Sequence, residues 1–178
     1  MVDSYAGSVT TLDLRKFRLR SGESQRDEQE VEIAPIELAG QRYLVVPEKV
    51  PAELTVTRAS TGTVYEVRFH VRLHGPCFRC LGDAVLDDDL YLREYQAESP
   101  GGVEELTTPY VADNRLLDLS AWARDGLVLA LPDKILCRPD CAGLCPVCGG
   151  DLNREPHTHE GEESDPRWAA LAELKDRL

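Results

Sequence analysis

The sequence predicts an α+β protein: an antiparallel β-rich body that carries cysteine knuckles and ends in a C-terminal amphipathic helix. Three observations predict it. In TVYEVRFHVRLHG the apolar residues Tyr65, Val67, Phe69, Val71 and Leu73 alternate with Glu66, Arg68, His70, Arg72 and His74, the period-two pattern of a half-buried strand. Six cysteines fall into pairs with two or three residues between them. At the end, ESDPRWAALAELKDRL places Trp168, Leu171, Leu174 and Leu178 on one face of a helix.

Taken in order, SGESQRDEQ between Arg20 and Glu30 has no apolar residue and reads as an exposed loop. EVEIAPIEL, RYLVVP and ELTVTR are short, rich in Val, Ile and Thr, and separated by Gly or Pro, which predicts strands. The alternating strand runs into PCFRCLGD, and AVLDDDLYLREY comes directly after, so the two form a hairpin with Cys77 and Cys80 at its tip. Beyond the turn-rich TPYVADN, DLSAWARDGLVLALP suits a helix near residues 119–130, capped by Ser120 and stopped by Pro132. A cysteine-rich loop comes next, then the acidic link HEGEESD. The last helix, from about Pro166 with Ser164 or Asp165 as its cap, is expected to dock its apolar stripe on the body, because an isolated helix of this length is marginal in water. One domain overall is expected: a β-rich body with one helix over residues 1–135, and a metal-binding loop plus C-terminal helix over residues 136–178.

Composition narrows the class. The chain of 178 residues is 42% hydrophobic, which fits a folded protein rather than a disordered one. Its start has no basic region followed by an apolar run, and no apolar stretch is long enough to span a bilayer, so a soluble, cytoplasmic protein without a membrane partner is expected. With 32 acidic against 20 basic residues, the net charge of −12 repels a phosphate backbone and attracts a basic protein.

CRPDCAGLCPVCGG, residues 137–150, holds four of the six cysteines. Disulfides, a redox pair and metal ligands compete as explanations. A reducing cytosol argues against the first. The redox reading needs a CxxC at a helix start in a βαβ unit, whereas these pairs sit in a hairpin and in a Gly/Pro-rich loop. Structural zinc takes four thiolate or imidazole ligands in a tetrahedron, and two Cys on one tight turn supply half of it. Cys145 and Cys148, followed by Gly149, have this form; Cys77 and Cys80, followed by Leu81 and Gly82, are a looser version; Cys137 and Cys141 lie on one side of a helical turn. Together with His157 and His159 they make eight candidate ligands, the number two closed sites need. His70 and His74 read as the solvent face of a strand.

The expected pairing is a zinc-ribbon-like site of Cys77 and Cys80 with Cys145 and Cys148, in competition with the local four Cys137, Cys141, Cys145 and Cys148. A second site of Cys137, Cys141, His157 and His159 is expected beside it. An open catalytic zinc would come with His-x-x-x-His or His-x-Glu, and neither occurs. The metal is therefore read as structural, and the chain as having no catalytic residue.

CFRCL, a helix ending in VLALP, LCRPDCAGLCPVCGGDLN and DPRWAALAEL together resemble the YceD family, the large ribosomal RNA subunit accumulation proteins, in the cysteine-rich form of its actinobacterial members. These motifs span residues 77–174; the N-terminal part matches only as a β-rich segment. The resemblance implies a bacterial cytosolic, non-enzymatic factor needed for accumulation or processing of large-subunit (23S) ribosomal RNA. Many members carry Cys-x-Cys where this chain has His157-Thr158-His159, a change that keeps metal-competent ligands. Given the charge, the expected partner is a basic large-subunit ribosomal protein or assembly factor, with contact to the RNA indirect. The alternative is a zinc-ribbon module that contacts structured RNA through a local basic face of Arg68, Arg72 and Arg79.

Overall fold

The computed structural model describes residues 9–98, 107–113 and 115–159. Among these residues eight strands, β1 (Thr11–Asp13), β2 (Ser24–Glu32), β3 (Ile36–Leu38), β4 (Gln41–Val45), β5 (Lys49–Arg58), β6 (Gly62–Pro76), β7 (Asp83–Ala97) and β8 (Leu116–Asp118), precede one α-helix, α1 (Leu119–Ala130). The main sheet runs β2-β5-β6-β4-β3 with β7 along the other side of β6, while β1 and β8 form a small second sheet; every pairing is antiparallel. The helix from about Pro166 lies outside the described residues.

β6 and β7 are zipped over their whole length, from Gly62 opposite Ala97 to Pro76 opposite Asp83, so the alternating pattern builds the hairpin it predicts. Tyr65, Val67, Phe69, Val71 and Leu73 are buried, and Leu54 of β5 is fully buried beside them. Each such side chain contributes about 1.5–3 kcal/mol of burial. α1 closes the core with Leu119, Trp122, Ala123 and Leu127, spaced as one face of a helix, and Trp122 stacks on Tyr110 at 6.1 Å. At Gly126 the helix backbone lies so close to Leu92 of β7 that an added Cβ would stand 2.2 Å from a Leu92 methyl, so a larger residue here would force Leu92 to shift.

Two local expectations need correction. The helix cap is Asp118, whose carboxylate accepts the Ala121 N–H at 2.9 Å. Ser120 instead ties strands together: its hydroxyl donates to the Glu32 carbonyl at 2.7 Å and accepts from the Thr10 N–H at 3.0 Å. The polar stretch read as a loop is most of β2. It pairs with β5 from Ser24 opposite Thr57 to Glu32 opposite Lys49, and as a margin strand with little core to cover it needs no apolar alternation.

At the far side, β7 pairs only with β6 among the described residues. Asp88 lies between Leu86 and Leu90 on the strand yet is exposed, and its carboxylate accepts the Asp89 backbone N–H at 2.9 Å.

Candidate metal centre

The two CxxC segments fold into the same turn. At the β6–β7 tip the Cys77 N–H donates to the Gly82 carbonyl at 2.6 Å and the Leu81 N–H to the Cys77 carbonyl at 3.0 Å. In the later segment the Cys145 N–H donates to the Gly150 carbonyl and the Gly149 N–H to the Cys145 carbonyl, both at 2.8 Å. Each turn closes through a left-handed residue four positions after its first cysteine: Gly149 at φ 73° and Leu81 at φ 59°. Gly149 takes that conformation freely, whereas Leu81 bears a steric cost of about 1–2 kcal/mol.

The partners of the knuckles differ from the ribbon pairing, from the local four, and from the second site expected of Cys137, Cys141, His157 and His159. Cys77, Cys80, Cys137 and Cys141 form one group and Cys145, Cys148, His157 and His159 another, with the ligand atoms of each group all within 4.8 Å of one another. The reason lies in the chain between them. Ile135, 2% exposed in the core, directs its carbonyl to the Phe78 N–H at 2.8 Å, and Arg79 Nη1 donates to the Cys141 carbonyl at 2.7 Å. These contacts swing the segment from Cys137 to Cys141 over the hairpin tip, as a loop rather than a helical turn. The second knuckle, held beside the tip by the Leu144 N–H on the Arg79 carbonyl at 3.1 Å, is then left with the nearest downstream donors, the two histidines.

Distances within the groups suit a tetrahedral ion. Four sulfurs at about 2.3 Å from a central metal stand about 3.8 Å apart. Cys77 and Cys141 are separated by 3.8 Å, Cys80 and Cys137 by 3.6 Å. In the outer group Cys148 Sγ lies 3.2 Å from His157 Nε2, and the rings of His157 and His159 sit edge to face at 5.0 Å. His157 Nδ1 donates to the Glu155 carbonyl at 2.7 Å, which turns Nε2 and its lone pair toward Cys148, the arrangement of a metal-binding imidazole.

The electrostatics ask for a cation. Burial pushes the Cys77 thiol up, but backbone N–H groups of Cys80, Cys137 and Arg79 directed at its sulfur outweigh this and bring it down to about 6. The backbone N–H of Cys148, joined by that of Val147, lowers Cys145 to about 6 against the opposing effect of burial. Cys137, by contrast, is pushed up to about 12 by burial and by the neighbouring sulfurs of Cys80, Cys141 and Cys77. Four thiolates this close cannot all carry charge without a positive ion among them, and a divalent cation removes the conflict. His157 is raised to about 9 by the Glu155 carbonyl and then by the thiols of Cys148 and Cys145.

Asn153 links the loop of the inner group to Asp151 in the segment that carries the outer group. Its Oδ1 accepts from the Ala142 N–H and from Arg138 Nη2, both at 2.8 Å, and its Nδ2 donates to Asp151 at 2.8 Å and to Cys141 Sγ at 3.5 Å. It thereby holds the Cys141 loop against the second knuckle. Sequence reasoning singled out only donors to metal, and an amide that bonds a sulfur carries no such signature; the GGDLN run that contains it was the one local signal.

The other singled-out side chains stand apart. His70 lies on the exposed face between Asp87 at 2.6 Å and Asp89 at 2.9 Å. Arg72 is bonded to Asp87 at 2.6 Å, Arg68 lies over the Tyr91 ring at 4.8 Å, and Arg79 is engaged with Cys141. No helix among the described residues is long and apolar enough to cross a membrane.

Among known proteins, uncharacterized proteins of Mycobacterium tuberculosis and Mycobacterium bovis are 36% identical over 126 residues, 68% of this chain and 60% of theirs. One from Mycobacterium leprae is 34% identical over 103 residues, 55% of this chain and 46% of its own. The chain thus spans about half to three fifths of the length of the curated relatives it matches. No solved structure matches it. The family model described as "Large ribosomal RNA subunit accumulation protein YceD" matches residues 65–175, from β6 through both cysteine groups. With that match over more than half of its length, and with mycobacterial relatives consistent with an actinobacterial member, the chain belongs to the YceD family.

Proposed function

We propose that this protein is a non-catalytic, cytoplasmic ribosome-biogenesis factor that supports accumulation of large-subunit (23S) ribosomal RNA, with two zinc ions as internal cross-links. The family match over residues 65–175 carries the reading. Zinc is the ion that suits these donors: thiolate and imidazole ligands, tetrahedral spacing and no redox demand. In each group the protein supplies all four ligands, which leaves no open position for a substrate or an activated water. That favours a structural role over hydrolysis.

The action on RNA runs through a basic large-subunit ribosomal protein or assembly factor. A charge of −12 attracts such a partner, and the three arginines that would form a local RNA-binding face are each occupied within the chain. Capture of the tagged protein from growing cells at two salt concentrations, with protein and RNA identified, tests this. A basic protein retained through ribonuclease treatment supports it; RNA retained without such a protein favours direct binding. Removal of the protein should lower mature large-subunit RNA relative to small-subunit RNA. Replacement of Cys145 and Cys148 by Ser should act through lost zinc and lost stability. If melting and zinc content stay unchanged while RNA accumulation is abolished, the thiols act chemically and the structural role fails.

A further inference from the structure

The outer face of the main sheet carries a charge pattern that stability does not explain. One row crosses four strands: Glu28 of β2 stands opposite Glu53 of β5, Glu53 opposite Arg68 of β6, and Arg68 opposite Tyr91 of β7. Like charges directly opposite in an antiparallel pair destabilise it. Arg26 relieves Glu53 at 2.9 Å, but neither Glu28 nor Glu30, on the same face of β2, has a cationic partner among the described residues. On the next row Asp89 has its side chain 90% exposed, and Tyr91 is 50% exposed. Together these strands form a hollow of about 880 Å³ on the sheet. No other element covers that face among the described residues.

We infer that this hollow is the docking surface for a lysine- and arginine-rich, extended segment of a protein partner, with Glu28, Glu30 and Asp89 as its anchors. The inference rests on the partner proposed for this protein and gives that partner a location. Two carboxylates, Glu28 and Glu30, whose charge no neighbouring cation cancels among the described residues, and the exposed Asp89, which His70 meets at 2.9 Å, lie around an exposed tyrosine and match a cationic chain in sign. The arginines beside them argue against a nucleic acid here: Arg68 is held over Tyr91 and Arg72 on Asp87. A strand-length segment laid across β2, β5, β6 and β7 would meet the two rows in turn, its basic side chains replacing the missing partners of Glu28 and Glu30.

Because Glu28 faces Glu53, Glu28→Lys removes a repulsion, and an unchanged melting temperature of E28K/E30K separates loss of binding from misfolding. The full-length protein is titrated into a fluorescein-labelled Lys/Arg peptide and, separately, a labelled RNA hairpin, followed by anisotropy at low salt. E28K/E30K should weaken peptide binding about tenfold or more, the loss expected for two reversed contacts. E48K/D133K changes net charge equally at exposed positions away from the hollow and should stay within about twofold. Equal weakening by both variants would mean that net charge alone attracts the peptide and overturns the inference. Tighter binding of the hairpin than of the peptide overturns it too. Neither result depends on RNA levels in cells, so an RNA profile unchanged by loss of the protein would sink the assembly reading while leaving the peptide result as it stands.

Discussion

The two metal-competent groups share a turn but differ in ligands, four cysteines against two cysteines and two histidines, and in the segments they connect. The inner group ties Cys77 and Cys80 of the hairpin to Cys137 and Cys141, bridging 64 and 57 positions of chain, and both Cys77 and Cys141 are fully buried within the main core. The outer group closes residues 145–159 upon themselves, and three of its four ligands are exposed. An ion that joins distant segments restricts the unfolded chain more than one that closes a short loop, and it also completes the core. Two groups built on the same turn therefore differ in scale: one spans the hairpin tip and the segment beyond α1, the other a local appendage.

If the inner group is the wider cross-link, its loss should have the largest effect on the fold. C77S/C141S should cost about 4 kcal/mol or more, seen as a fall in melting temperature of about 10 °C or more for the whole β body. A loss confined to the cysteine-rich segment would erase the distinction. Chelator added to the loaded protein should remove the outer ion first and the inner ion slowly, read as two phases of zinc release; a single phase would show the groups to be equivalent. His157→Ala should leave one zinc bound and lower melting by only about 3 °C, since the outer group adds little to the core. Asn153→Ala removes the bonds that tie the Cys141 loop to Asp151 and should cost about 1–2 kcal/mol while speeding the inner phase of release. Gly149→Leu should likewise cost about 1–2 kcal/mol, because it places a new side chain in the left-handed region, and the smallest effect is expected at the other turn, where Leu81→Gly should stabilise slightly or be neutral.

The parts of the molecule legible in the sequence are those that local forces decide. The hairpin, its cysteine tip and α1 were readable because alternation, adjacency and a stop at Pro132 act over a few residues. β2 was not: its partner β5 supplies the ladder, and nothing in SGESQRDEQ announces a strand whose faces are mostly wet. All eight candidate ligands converge, yet their grouping was invisible, because CxxC spacing reports that a half-site exists and not which half-site it faces. The choice is made by Ile135 anchoring in the core and by Arg79 on the Cys141 carbonyl, contacts between segments far apart in the chain. Even the α1 cap turned on tertiary structure: Ser120 and Asp118 both qualify by type, and Ser120 is drawn away by Thr10 and Glu32.

Asp88 has a consequence for the protein's colloidal behaviour. β7 runs fifteen residues, and a long sheet margin with open backbone groups is a template on which a second chain can nucleate aggregation. A carboxylate set between Leu86 and Leu90 interrupts what would be an apolar stripe, and by taking the Asp89 N–H it fills a bond that an intruding strand would need. A crowded cell full of nascent, partly folded chains is where such a margin would be most exposed to misassembly. Here it is blunted, and the sheet is left to meet other molecules through its face.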